Sequence, residues 1–211
     1  MNIQNIVVGA FEVNCFIITS DSGYALIIDP GSEAVNIDQI ISSKKLMVSG
    51  YLLTHGHMDH ISGLSELHAK HPAPVYIHQA DLKWAFTAEN AMPPFYPAPD
   101  KPTQMQTIDI EDGQVHSVND LEFKIITTPG HTPGGVCYYF VKQSILFSGD
   151  TLFSGSVGRT DINGGNTNIL AKSLKKLVAL PEDTVVYAGH GPATTISKEK
   201  RTNYFLRGQN S

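Results

Sequence analysis

Apolar residues run in short blocks through the first quarter of the chain. Residues 3–8, 13–19 and 24–29 are β-branched or aromatic stretches, and Asp21-Ser22-Gly23 supplies a hairpin turn signal between the last two. The period then lengthens: Ile37, Ile40 and Ile41 share a helical face, with Asn36 as the expected N-cap and Gln39 three residues on. Residues 48–54 predict a strand, Ile61, Leu64 and Leu67 a second helix, 74–78 a strand and 79–88 a helix. Residues 92–102 hold five prolines and two aromatics and predict an extended loop, either a pocket wall or a plain surface excursion. The pattern then repeats. Strands are expected at 121–128, 135–141 and 144–148, a helix on Leu170, Leu174, Leu177 and Val178, a strand at 184–188 and a closing helix at 198–205. Strands followed by a helix, twice over, predict an α/β chain of two packed sheets with helices outside. No repeat period or low-complexity linker divides the 211 residues, so one domain over 1–211 with two similar halves is expected.

Composition narrows the class. With 41% hydrophobic and 17% charged residues the chain reads as an ordinary globular protein rather than a disordered one. The formal charge of −5 and the lack of a basic stripe argue against a nucleic-acid partner. No apolar run reaches the ~20 residues that span a bilayer, and the first residues lack a basic region followed by an apolar core, so neither a membrane nor secretion is expected. The two cysteines, Cys15 and Cys137, each lie in an apolar β-like stretch and read as buried free thiols, which points to a cytoplasmic location.

The chemistry concentrates in Thr54-His55-Gly56-His57-Met58-Asp59-His60. Three imidazoles and a carboxylate this close together, just after an apolar strand, form a dense set of metal ligands. Gly56 lacks a side chain, so a sharp turn there is expected to let alternate residues converge. His131, Asp150 and His190 each follow a predicted strand beside glycine, in PGHTPGG, FSGDT and AGHGP, where rigid sheets present functional groups. His68, His71, His78 and His116 lack such company and receive no role.

These residues carry a resemblance. HxHxDH followed by separate His, Asp and His is similar to the metallo-β-lactamase superfamily, and TPGHTPGG with FSGDTLF resembles its hydroxyacylglutathione hydrolases, the glyoxalase II group. The resemblance runs from Ile27-Ile28-Asp29-Pro30-Gly31 to Gly189-His190-Gly191-Pro192. It implies an αββα four-layer sandwich with the site at one edge of the sheets. It further implies two divalent metal ions, zinc foremost, with iron or manganese as alternatives. His55, His57 and His131 would hold the first, Asp59, His60 and His190 the second, with Asp150 bridging. Asp59 would also aim a hydroxide formed from the shared water. Asp29 matches a position that supports the ligand loop, or serves as a structural turn residue.

The implied substrate is a small-molecule thioester, such as an S-2-hydroxyacyl thiol, whose thiolate leaves without a strong general acid. The C-terminal helical extension of the longer hydroxyacylglutathione hydrolases is not expected in this chain. Where they carry a lysine after GxG it has Val157-Gly158-Arg159, making Arg159 a candidate substrate-binding clamp for a carboxylate. A one-iron persulfide dioxygenase of the same fold is the rival, since Gly158-Arg159-Thr160-Asp161 resembles it. A zinc β-lactamase is not expected, because Asp150 stands where those enzymes place Cys or His. The assembly expected is a monomer or small homo-oligomer.

Overall fold

The computed structural model describes residues 1–206. The chain opens with an antiparallel meander, β1 (Asn2–Val8), β2 (Val13–Thr19) and β3 (Tyr24–Ile28). It continues through helix α1 (Ala34–Ser43), β4 (Met47–Leu52), α2 (Met58–Ile61), α3 (Leu64–Lys70), β5 (Val75–Tyr76), α4 (Gln79–Ala85) and β6 (Thr107–Ile108). The second half runs β7 (Val115–Val118), β8 (Leu121–Thr127), β9 (Val136–Phe140), β10 (Ile145–Gly149), β11 (Leu152–Phe153), β12 (Ser156–Val157), α5 (Thr167–Val178), β13 (Val185–Ala188), β14 (Thr194–Thr195) and α6 (Ile196–Thr202). One six-stranded sheet has the order β1-β2-β3-β4-β5-β6 and the other β14-β13-β10-β9-β8-β7.

Three apolar layers separate four layers of structure. Phe16, Ile18, Leu26 and Ile28 of the first sheet meet Phe123, Ile125, Tyr138 and Phe147 of the second. The reverse face of the first sheet, with Cys15, Ile17 and Ile27, packs on Ile37, Ile41, Leu64 and Leu67 of the helices. The reverse face of the second, with Cys137 and Tyr139, packs on Leu170, Leu174 and Leu177. This is the expected αββα sandwich. It also explains why β2 and β9 are apolar on both faces: their alternate side chains enter different cores. Cys15 and Cys137 therefore sit in opposite outer cores, buried and free. Among the described residues no helix is long and apolar enough to cross a membrane.

Local departures from the expected elements have identifiable causes. Helix α1 starts at Ala34 behind Glu33, not Asn36, and the Glu33 carboxylate accepts the Gly9 N–H at 2.6 Å instead of capping. The expected helix over 61–67 is two helices. Gly63 breaks it by donating its N–H to Pro30 C=O at 2.9 Å. Strand β5 shrinks to two residues because His78 turns away to cap α4, accepting the Ala80 N–H at 3.2 Å. Strands β6, β7, β11, β12 and β14 carry no apolar alternation of the required length, and the sequence did not announce them.

Candidate metal centre

Asp29 follows β3, His55 follows β4, His131 follows β8, Asp150 follows β10 and His190 follows β13. Every one leaves the C-terminal end of a strand, so the two sheets deliver them to one edge. A buried asparagine stitches that edge together: Asn14 Nδ2 donates to the carbonyls of Ala188 (3.0 Å) and Gly191 (2.8 Å) on the other sheet. Asp59 and His60 come from the single turn of α2.

The side chains form two sets, His55, His57 and His131, and Asp59, His60 and His190, within each of which one ligand atom per residue lies within 4.8 Å of the others. His57 Nδ1 and His131 Nε2 are 3.0 Å apart, and His60 Nε2 and His190 Nε2 3.3 Å. Asp150 lies between the sets, Oδ1 3.5 Å from His60 Nε2, Oδ2 3.5 Å from His131 Nε2 and 3.6 Å from His190 Nε2. A tetrahedral ion with metal–nitrogen bonds of ~2.05 Å has ligand edges of about 3.3 Å, which is this spacing. All seven residues anticipated as ligands are thus brought together.

Ring orientation is fixed from outside. His131 Nδ1 donates to the Arg159 carbonyl and His190 Nδ1 to the Phe11 carbonyl, both at 2.8 Å, and His60 Nδ1 to Asp29 Oδ2 at 3.0 Å. Thr54 Oγ1 donates to Asp29 Oδ2 at 2.6 Å, which leaves its lone pair facing His55 Nδ1 at 3.0 Å. In four rings the outer nitrogen therefore holds a proton and Nε2 points inward, the orientation a metal requires. His55 Nε2 and Asp150 Oδ1 are buried with no hydrogen-bond partner. Two orphaned acceptors at the middle of a cluster are costly unless a cation completes them, so this donor set fits metal ions.

Electrostatics divide the two sets. Burial, then the neighbouring imidazoles, push His55 well below the ordinary histidine range and His57 down to about 3, keeping both neutral donors. Burial works against a charged His60, yet the carboxylates of Asp150, Asp59 and Asp29 raise it to about 10. Burial likewise opposes ionisation of Asp150, but the surrounding imidazoles hold its carboxyl below the usual range. A compact anion-rich half thus adjoins a neutral imidazole half. Asp29 also falls within ligand distance of His55 and His60. Its oxygens are occupied by Thr54 N–H (2.8 Å), Thr54 Oγ1 and the outer nitrogen of His60, so it orients the loop rather than facing the centre.

Two residues without an expected role hold the loop. Asp81, fully buried in α4, accepts from Gly56 N–H (3.0 Å), Thr132 Oγ1 (2.7 Å) and Gly134 N–H (2.7 Å), clamping the first ligand loop to the one bearing His131. Burial pushes its carboxyl up, against three donors that favour the ionised form. Asn90 accepts the Met58 N–H and donates to the Gly56 carbonyl. Gly56 itself is not left-handed; a Cβ there would lie 3.2 Å from Asp81 Cβ and Ala85 Cβ. Its small size admits α4 against the loop, so close packing replaces the sharp turn anticipated for it.

Gly189 is constrained more severely. A Cβ would collide with Asp150 Oδ1 and stand 2.8 Å from His60 Cε1. Gly189→Ala is expected to weaken metal binding by at least ~10-fold, as displaced ligand supports do. Titration against a chromogenic chelator measures this, and wild-type affinity would contradict the packed arrangement.

The centre opens into a cleft of about 210 Å³ bordered by Phe11, Met92, Arg159 and Ile162. Met92 belongs to the proline-rich loop, whose Phe95 and Tyr96 rings lie 5.5 Å and 5.2 Å from that of Phe11. That loop is a pocket wall. Arg159 sits at the rim, its guanidinium paired with Asp161 through Nε (2.7 Å) and Nη2 (2.9 Å).

Comparison with known proteins agrees with this architecture. The chain is 40% identical to a probable metallo-hydrolase, YqgX, of Bacillus subtilis, over 95% of each. It is 36% identical to the hydroxyacylglutathione hydrolase GloC of Haemophilus influenzae, over 99% of this chain and all of that one (100%). Among solved structures, the BLEG-1 B3 metallo-beta-lactamase superposes with a TM-score of 0.90 at 34% identity, covering 97% of this chain and 99% of that one. TTHA1623 in a di-iron-bound form gives 0.85 at 35% (96% and 100%), and ETHE1 from Myxococcus xanthus 0.80 at 27% (99% and 85%). The profile of the metallo-beta-lactamase superfamily matches residues 8–190, from the end of β1 to the last histidine of the centre, and the chain belongs to that superfamily.

Proposed function

We propose that the protein is a dinuclear metal-dependent hydrolase of thioesters, acting on S-2-hydroxyacyl thiols of the lactoylglutathione type. The observation that carries the reading is the second donor set. Asp59, His60 and His190 converge as tightly as His55, His57 and His131, which a one-iron dioxygenase does not require. The name of the Haemophilus relative supports the substrate class. His55, His57 and His131 would hold the first cation and Asp59, His60 and His190 the second, with Asp150 lying between the two sets. Zinc suits these nitrogen and carboxylate donors, and the di-iron neighbour keeps iron in view. Bound there, the cations supply Lewis acidity, lowering the pKa of water and polarising the thioester carbonyl.

The chain's own residues do the positioning. Asp59 presents one oxygen to the centre, Oδ2 lying 3.7 Å from His60 Nε2 and 3.6 Å from His190 Nε2. A carboxylate so placed accepts a hydrogen bond from water entering the cleft and fixes its approach to the carbonyl. Phe11, Met92 and Ile162 wall the cleft and limit the number of waters admitted. Arg159 at the rim exchanges Asp161 for a substrate carboxylate in a two-pronged pair. Arg159→Ala is expected to raise KM for carboxylate-bearing thioesters several-fold with kcat nearly intact, the pattern for loss of uniform binding. Identical KM values would return Arg159 to the surface.

The reading is tested on one preparation loaded in turn with zinc and ferrous iron. It is assayed with lactoylglutathione, glutathione persulfide and a β-lactam, the last because of the neighbour named as a β-lactamase. Thiol release without oxygen uptake is the expected result. Oxygen consumption with persulfide and no thioester cleavage would replace it with the dioxygenase. Ring opening of the β-lactam alone would replace it with a lactamase.

A further inference from the structure

Beside the metal centre lies a second cavity, of about 320 Å³, larger than the cleft over the centre itself. The two adjoin, sharing His57, Met58, Met92 and Ile162 as lining residues. Trp84, Pro133 and Gly164 line it as well, the Trp84 ring 5.4 Å from that of His57. No cation lines it. Its one acidic side chain, Glu89, is exposed at the rim. Of its two amide side chains, that of Asn90 is consumed by Gly56, Ala85 and Met58, and that of Asn163 is exposed to solvent. A cavity of this kind takes an uncharged apolar group and rejects a carboxylate.

The two ends of a thioester can be assigned from this asymmetry. Arg159, the cation of the cleft, borders the centre but not the larger cavity. A thiol carrier of the glutathione kind bears carboxylates, which Arg159 attracts and the cavity does not. With the carbonyl at the centre, the acyl group is left to enter the apolar space. Resting on the thioesterase reading, we propose that this cavity is an acyl-chain site. The favoured substrates are thioesters whose acyl group, beyond the carbon that carries the 2-hydroxyl of lactoyl, continues as an apolar chain or ring of the length of hexanoyl or phenylacetyl, with Trp84, Met92 and Ile162 setting the length preference.

Trp84 is the only tryptophan of the chain, so its emission reports occupancy independently of catalysis. The experiment uses the metal-loaded protein and two series of thioesters. One varies the acyl group from acetyl to octanoyl on a single thiol, and the other varies the thiol on a single acyl group. Ketone analogues, with CH2 in place of the thioester sulfur, serve for fluorescence titration. Expected are a saturable Trp84 blue shift that tightens with acyl length and kcat/KM rising about fourfold per methylene until the cavity is full. In Ile162→Asp, and independently in Met92→Ala to guard against misfolding, the ratio of hexanoyl to acetyl kcat/KM is expected to fall towards one. Saturable, length-dependent binding of the analogues without hydrolysis of any thioester would sustain the cavity assignment and remove the hydrolase reading. Hydrolysis indifferent to acyl length, with no Trp84 response, would overturn the cavity assignment and leave the hydrolase standing. Dependence on the thiol's length alone would overturn it too, by placing the carrier there.

Discussion

Asp150→Ala is expected to lose most of its bound metal and to lower turnover on the order of 10³-fold, the scale of removing a principal stabiliser of transition-state charge. The reason is its position. Its two oxygens reach both donor sets, Oδ1 towards His60 and Oδ2 towards His131 and His190, and Oδ1 has no protein donor. Removing the carboxylate therefore deprives both proposed ion positions of an anionic ligand at once, whereas loss of any single histidine touches one. Metal content by plasma spectrometry, together with steady-state kinetics, checks both halves of the expectation. The informative contrast is Asp59→Ala, which strips the second position while leaving Asp150 in place. A wild-type preparation with one tightly held ion, combined with normal turnover from Asp59→Ala, would sink the dinuclear arrangement.

The second large effect falls outside the ligand set. Asp81→Ala strands Gly56 N–H, Thr132 Oγ1 and Gly134 N–H in a fully buried position. Breaking a buried, charge-assisted network of this kind costs about 3–5 kcal/mol. For a domain of this size that lowers Tm by roughly 10 °C. Because those donors belong to the loops of His55–His60 and of His131, metal affinity should fall with stability, by about 10–100-fold. Asp81→Asn keeps one acceptor oxygen but turns an amide towards a donor, so it should fall between the two. Calorimetry of metal-free and metal-loaded protein separates the effects. An unchanged melting temperature in both forms would show that the three donors find other partners.

Asp81 also marks where sequence reading stops. In Gln79-Ala80-Asp81-Leu82 it looks like any acidic residue in the first turn of a helix, where such residues are common because they favour the positive end of the dipole. Only its partners, at positions 56, 132 and 134, give it another meaning, and no local pattern connects those positions. Asn14 and Asn90 are hidden for the same reason. Each satisfies backbone groups of segments far away in the chain, and their neighbours in sequence give no sign of it.

By itself the sequence marked the candidate ligands and two packed sheets with helices outside, and its resemblance to a known superfamily implied the four layers. The ligand types are read one residue at a time, from imidazole and carboxylate chemistry beside glycine at predicted strand ends. The two sheets with outer helices follow from strands succeeded by a helix, twice over, and in the structure β2 and β9 are buried along both faces as such packing requires. Tertiary structure decided everything that depends on two segments meeting. It chose the ring orientations of His55, His60, His131 and His190 through Thr54, Asp29 and two distant carbonyls. It gave Gly56 a packing role against α4 in place of the turn its composition suggested, and it made the proline-rich loop a wall of the cleft through Met92 and Tyr96. The physical reason is one of range. Side-chain chemistry and periodicity are local and survive in a linear string, whereas burial, proton placement and cavity shape arise only when remote surfaces exclude water together.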